Sequence, residues 1–180
     1  MQLINTPIQD LLVIHPIVFK DSRGLFFENW NLKILKEQGL SLNFVQENTS
    51  LSHKGVLRGL HFQNPPFSQG KLVQVLKGKV LDVVVDIRKN SVTYGKSFSI
   101  ELSDDNKKML WIPSGFAHGF LSLEDDTIFN YKCTEFYNKD SEGSLLWNDK
   151  DLAIDWGVNQ VVVSEKDANA PLFCSFVSQF

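Results

Sequence analysis

The chain has 180 residues, of which 43% are apolar, 12% aromatic and 22% charged. That length suits one compact core, and 14 Phe with 4 Trp exclude a chain too poor in large apolar side chains to fold. Lys and Arg number 18 against 21 Asp and Glu, a formal net charge of −3, so the basic excess of a duplex-binding protein is missing. A small anionic ligand held by local cations remains compatible with that balance. Two cysteines, Cys133 and Cys174, give neither a disulfide framework nor a cysteine-based zinc pattern, and both are expected as reduced core thiols. Met1 to Asp10 lacks the basic start and apolar run of a secretory signal, and no window approaches the roughly 18 apolar residues of a membrane span. The expectation is a single domain over residues 1–180, located in the cytoplasm.

In chain order, the first apolar run is Leu11–Phe19, followed by the turn Asp21-Ser22-Arg23-Gly24. Asn29–Gln38 carries Trp30, Ile34 and Leu35 at helical spacing, with Gly39 as a stop, and predicts the one credible helix. Val56–Phe62 reads as a strand ending at Asn64-Pro65-Pro66. Residues 71–88, KLVQVLKGKVLDVVVDIR, read as two strands meeting at Lys77-Gly78-Lys79, a hairpin pattern. In the second, Leu81, Val83, Val85 and Ile87 share one face, and Asp82, Asp86 and Arg88 the other. Further strands are predicted at Ser97–Leu102, Met109–Ile112, Phe116–Leu121 and Thr127–Cys133. Many short strands with little helix predict an all-β sandwich or barrel, and a barrel of this size holds one small ligand in its mouth.

Chemistry-bearing groups concentrate in Gln46–Gln63, QENTSLSHKGVLRGLHFQ, which holds Gln46, Asn48, His53, Arg58, His61 and Gln63. A single histidine such as His61 is equally well read as a satisfied core residue, and a lone Arg58 as a surface cation; the clustering weakens both readings. Arg58 and His61 have opposite parity, so a regular strand points them to opposite faces. Gly59 lies between them, and a glycine inside a strand marks a bulge, so we expect Gly59 to break the register and bring both into one cavity. Lys71 shares parity with Val73 and Val75, which places it at a cavity mouth or, alternatively, snorkelling to water. Tyr131 lies between Phe129 and Cys133 on an inward face, where its hydroxyl needs a partner. Ser164-Glu165-Lys166-Asp167 admits two readings: a helix cap, or a carboxylate that orients a histidine.

WIPSGFAHGF (111–120) reads as strand, tight turn and strand, and resembles the second motif of cupin barrels, in which the position of His118 binds metal. The first cupin metal motif has no counterpart, because its place reads His61-Phe62-Gln63 and no Glu follows before Gly78. With too few ligands, a cupin barrel without a catalytic metal is expected.

GVLRGLHFQ (55–63), QGKLVQVLKGKVLDVVVDIR (69–88), IPSGFAHGF (112–120), YKCTEFYN (131–138) and Asn148-Asp149 with Leu152, Ile154 and Trp156 occur in one order. With FKDSRGLFFE (19–28) and the stretch from Ser164 to Pro171, they make the chain resemble the dTDP-4-dehydrorhamnose 3,5-epimerases over most of its length. The resemblance implies a cupin-type double-stranded β-helix barrel with few short helices, and an isomerase that needs no cofactor. It also implies a homodimer in which an N-terminal stretch reaches the partner's site. Carried over, His61 is the catalytic base with Asp167 as its partner, Tyr131 the general acid, and Lys71 the cation beside the reacting sugar. Arg23, Arg58, His118 and Lys166 fall where the family holds phosphate and sugar oxygens. Glu28, Gln46 and Asn48 fall at the thymidine, Glu142 near the ligand, and Tyr137 with Phe26 where the thymine ring stacks. The implied substrate is a dTDP-linked 4-keto-6-deoxyhexose, with no nucleic acid or membrane partner. The residues themselves leave open a single-carbon epimerase or a ketoisomerase of a related nucleotide sugar, a non-catalytic sugar-nucleotide-binding barrel, and a metal-dependent oxygenase. LFCSFVSQF (172–180) lies outside the motifs.

Overall fold

Alternation of apolar residues builds two antiparallel sheets that face each other. The computed structural model describes residues 1–180. Along the chain come β1 (Gln2–Asn5), β2 (Leu12–His15), β3 (Val18–Asp21), β4 (Gly24–Phe27), α1 (Leu32–Glu37), β5 (Gln46–Ser52), β6 (Leu57–Gln63), β7 (Lys71–Lys77), β8 (Lys79–Asp86), β9 (Ser97–Ser103), β10 (Met109–Ile112), β11 (Phe116–Ser122), β12 (Thr127–Cys133), β13 (Glu142–Ser144) and α2 (Glu165–Ala168). One sheet has the order β1-β2-β10-β7-β12-β5, the other β13-β6-β11-β8-β9, while β3 and β4 form a separate hairpin. From β5 to β12 successive strands cross between the sheets, β8 and β9 excepted, which winds the chain as a double-stranded β-helix.

That winding corrects the hairpin expected at 71–88. β7 pairs with β10 and β12, while β8 pairs with β9 and β11 in the opposite sheet. Alternation fixes which way side chains face but not which strand lies alongside, and a glycine with positive φ serves a corner as well as a hairpin. Gly78 has φ +82°, and a Cβ there would stand 2.6 Å from Thr127 Oγ1. The helix is shorter than predicted because Asn31 caps it, its side chain accepting from the Ile34 N–H at 3.2 Å. Four strands were not predicted: β1, β4, β5 and β13. β5, with the polar sequence QENTSLS, is an edge strand paired only to β12 and carries no apolar alternation to read.

Both faces are covered over the central strands of each sheet; of the two cysteines expected in the core, Cys133 is buried, whereas Cys174, in the C-terminal stretch beyond the strands, is exposed. Val73, Val75 and Phe129 of one sheet meet Val80, Val84 and Phe120 of the other inside the barrel. Leu57, Leu60, Val83 and Val85 point outward under Leu145, Leu152 and Trp156. Ile14, Leu72 and Trp111 lie under Leu35 of α1. In β8 the apolar face read from the sequence is therefore the outer one, and Asp82 points into the barrel beside Val80 and Val84.

Asp86 closes β8 as a fully satisfied buried carboxylate. It accepts from Arg88 Nε at 2.9 Å and Nη2 at 2.8 Å, and from the hydroxyls of Ser91 at 2.6 Å and Thr93 at 2.7 Å. Burial pushes its pKa up, but the Arg88, Ser91 and Thr93 hydrogen bonds outweigh it and hold the value at about 2, against 3.8 ordinarily. At roughly 1.4 kcal/mol per unit, that depression is about 2 kcal/mol of stability, present above the unfolded pKa and lost as pH falls through the folded one. Urea titrations from pH 7 down to 2 are expected to lose this increment between about pH 4 and 2. Asp86→Asn is expected to be less stable at pH 7 and to have a flatter profile across that window.

Candidate active site

The barrel mouth opens beside β6, where one backbone irregularity decides which side chains face inward. Leu57, Leu60 and Phe62 belong to the outer layer, whereas Arg58 and His61 line the same interior cavity. Against β11 the register runs His118 to His61 but Phe120 to Arg58, so β6 carries one extra residue, Gly59. Gly59 has φ +139°, and a Cβ there would stand 2.5 Å from the Gly119 Cα. Two glycines back to back let the strands approach, and the expected register break is observed.

The cavity, about 530 Å³, is lined by Arg58, His61, Lys71, His118, Tyr131, Lys166 and Asp167, with Phe120 and Phe129 among its apolar lining. Their rings stack at 4.1 Å between centroids. A second lobe of about 350 Å³ shares His61, Lys71 and Tyr131 and adds Gln46, Asn48, Tyr137 and Glu142. Both volumes suit small-molecule sites. Lys71 Nζ lies 5.9 Å from the Tyr131 ring centroid.

His61 Nε2 stands 2.6 Å from Asp167 Oδ1. Both readings of Ser164–Asp167 hold at once: Ser164 Oγ accepts from the Asp167 N–H at 3.1 Å, capping α2, while the Asp167 side chain turns to His61. Gly59 N–H also donates to Asp167 Oδ2 at 3.4 Å. Burial raises the Asp167 pKa, but the His61 hydrogen bond and charge, with Gly59 and Ser164, pull it net below the usual carboxylate value. Burial depresses the Lys71 ammonium, opposed by Cys133, Asp82 and Glu142. Burial, then Cys133, raises the Tyr131 phenol above its ordinary value, so it stays protonated at neutral pH. Perturbed titratable groups gathered in one hollow are frequent at functional sites.

The outer lobe is tied together by hydrogen bonds. Lys166 Nζ bridges Glu142 Oε1 at 2.7 Å, Tyr137 hydroxyl donates to Glu142 Oε2 at 3.3 Å, and Gln46 Nε2 donates to Asn48 Oδ1 at 3.0 Å. Burial raises the Glu142 pKa, but Lys166 and His61 draw it net downward. Gln63, at the place of the second cupin-motif histidine, is a clamp: it donates to the Phe67 and Phe136 carbonyls at 2.6 and 3.1 Å and accepts from Asn138 N–H at 2.8 Å. No group of three or more His, Cys, Asp or Glu side chains is arranged to hold a metal ion.

Other sequence candidates lie elsewhere. Arg23, Phe26 and Glu28 are exposed around the β3–β4 hairpin; Arg23 pairs with its own Asp21 at 2.6 Å, and Glu28 accepts from Asn31 at 3.0 Å. None of the three lines the cavity of its own chain. His53 is exposed beyond β5 and takes no part. Sequence reasoning did not single out Asp82, which meets the cavity-lining His118 from inside the barrel, although its parity with Val80 and Val84 was available as a signal.

An imidazole–carboxylate pair, a half-buried lysine and a half-buried tyrosine inside a double-stranded β-helix define an acid–base enzyme on a cupin barrel. Residues 5–175 match the family model described as dTDP-4-dehydrorhamnose 3,5-epimerase. The chain is 50% identical over 174 residues to dTDP-4-dehydrorhamnose 3,5-epimerase of Shigella flexneri, covering 96% of each chain. The crystal structure of the Elizabethkingia anophelis dTDP-4-dehydrorhamnose 3,5-epimerase superposes with TM-score 0.92 at 50% identity, covering 97% of each. A Legionella pneumophila dTDP-6-deoxy-D-glucose-3,5-epimerase, solved with dTDP-4-keto-L-rhamnose, gives TM-score 0.93 at 48% identity over 98% of this chain and 94% of that one. The chain belongs to the dTDP-4-dehydrorhamnose 3,5-epimerase family, a family of isomerases.

Gly59→Ala places a methyl group against Gly119 at a backbone angle that L-residues avoid. Activity is expected to fall at least tenfold together with a lower melting temperature, read by calorimetry and by turnover. A variant with unchanged values would show that the extra residue does not set the site.

Proposed function

We propose that this chain epimerises dTDP-4-dehydro-6-deoxy-D-glucose at C3 and C5, giving dTDP-4-dehydro-L-rhamnose for dTDP-L-rhamnose synthesis. The observation that carries the reading is that His61, Lys71 and Tyr131 line one cavity. C3 and C5 both adjoin the C4 ketone, so loss of either proton leaves an enolate. The principal demand is a positive group at the developing oxygen charge, and Lys71 supplies it in a water-poor barrel. His61 takes the proton from one face of the ring as the C–H bond breaks, and Asp167 holds the imidazole and offsets its new charge. Tyr131 delivers its phenol proton to the opposite face, forming the inverted C–H bond and closing the ketone. Exchange with water restores both groups before the second carbon reacts.

Arg58, His118 and Lys166 supply donors and cations for diphosphate and sugar oxygens, which accounts for cations gathered on an acidic chain. Gln46, Asn48, Tyr137 and Glu142 offer hydrogen bonds and a stacking ring for the thymidine. Arg23, Phe26 and Glu28 serve the site of a second copy in a homodimer. Phe19 at 60% and Phe26 at 66% exposure leave the hairpin with apolar surface that a partner would cover. No helix is long and apolar enough to cross a membrane, in keeping with work in the cytoplasm.

Incubation with dTDP-4-keto-6-deoxyglucose in deuterated buffer, followed by NMR, is expected to show deuterium at both C3 and C5. Label at one carbon only would make the protein a single-carbon epimerase. Binding without label would make it a non-catalytic sugar-nucleotide barrel. His61→Asn is expected to lose roughly 10²–10⁴-fold in turnover, the range of a general base, while dTDP binding stays within about threefold.

A further inference from the structure

One buried charge in the barrel leaves part of its hydrogen-bonding capacity unused. Asp82 lies midway along β8 between Val80 and Val84 of the interior cluster and is 0% exposed. Its Oδ2 meets His118 Nε2 at 2.9 Å, and its Oδ1 has no partner. An unpaired carboxylate oxygen in the interior costs stability, so structure alone gives no reason to keep it. His118 and His61 are direct cross-strand partners, and each turns Nε2 to a buried carboxylate. The barrel thus holds two imidazole–carboxylate pairs on neighbouring strands. The His61 pair needs α2, whereas the His118 pair is built wholly from β8 and β11.

We infer that Asp82 is a positioning residue for the epimerisation: Oδ2 fixes the His118 ring in the cavity wall, and the carboxylate charge holds the Lys71 ammonium toward the substrate's C4 oxygen. The inference rests on the reading that Lys71 serves that oxygen. With Nε2 committed to Asp82, the remaining ring nitrogen of His118 is left for the ligand. Lys71 is the register partner of Cys133 on β12 and shares its two-lobed cavity with Tyr131 on β12, Glu142 on β13, Arg58 and His61 on β6, His118 on β11, and Lys166 and Asp167 of α2. Asp82 adds a negative charge from the barrel interior that opposes the depression of the ammonium by burial.

Asp82→Asn keeps the side chain's size and an acceptor for His118 while removing the charge. Expected are a kcat lowered at least tenfold, a dTDP Kd within threefold of wild type, and an alkaline limb of the kcat profile moved to lower pH, because Lys71 loses its proton sooner. The melting temperature is expected to hold or rise, since a buried carboxylate with one unsatisfied oxygen has gone. A wild-type kcat with an unmoved limb would overturn the inference. So would failure to fold, or a lower melting temperature with the limb in place, each of which marks a structural role. His118→Gln keeps the Asp82 charge and is expected to lower kcat with the limb in place; a limb that shifts as in Asp82→Asn would assign the effect to His118 and overturn the inference. Wild-type turnover in the same assay separates the two levels: an active parent with an indifferent Asp82→Asn defeats this inference alone, while an inactive parent defeats the epimerase reading and this inference together.

Discussion

The contact between His61 and Asp167, 2.6 Å long and spanning 106 positions of sequence, joins the two halves of the chain's design. The imidazole comes from a barrel strand and the carboxylate from a short capped helix near the C-terminus. Asp167 reaches His61 because residues beyond Leu145 fold back over the outer face of the five-stranded sheet, burying Leu152 and Trp156 against Val83 and Val85. That covering is apolar work with a consequence for the cavity. It buries the sheet and brings a carboxylate to the His61 imidazole. The same carboxylate takes the Gly59 N–H, so the residue that shifts the strand register is also tied to the dyad.

Two buried carboxylates on one strand show how burial is used differently for structure and for a site. Asp86 has both oxygens satisfied by Arg88, Ser91 and Thr93, and its depressed pKa is a stability contribution. Asp82, four residues earlier, has one oxygen on His118 and one free. Full satisfaction rigidifies a loop, whereas partial satisfaction leaves unspent charge near a cavity that also holds Lys71. Burial itself acts in opposite senses on the ammonium and the phenol there, depressing Lys71 and raising Tyr131.

Much of this was legible in the sequence. The parity clash of Arg58 and His61 with Gly59 between them already implied an extra residue, and β6 has one. Lys71 and Tyr131 were placed by the company of Val73, Val75 and Phe129, which do line the interior. The ambiguity at Ser164–Asp167 was real, because the backbone caps while the side chain reaches away. What could not be read follows from one property: the central strands are covered on both faces, so polarity there does not distinguish inside from outside. Hence the alternation in β8 separates Leu81, Val83 and Val85 from Asp82 and Asp86 without telling which set faces the barrel interior. Strand partners were equally hidden, since β7 and β8 adjoin in sequence yet lie in opposite sheets. Arg23, Phe26 and Glu28 sit on a hairpin that leaves its own cavity untouched, a separation no spacing announces.

The most direct measurement is a crystal structure of this chain with a dTDP-linked 6-deoxyhexose bound. The predicted arrangement puts the His61 imidazole and the Tyr131 hydroxyl on opposite faces of the hexose, with Lys71 Nζ about 3 Å from the oxygen on C4. A hexose lying outside the hollow, or one with both groups on the same face, would contradict it.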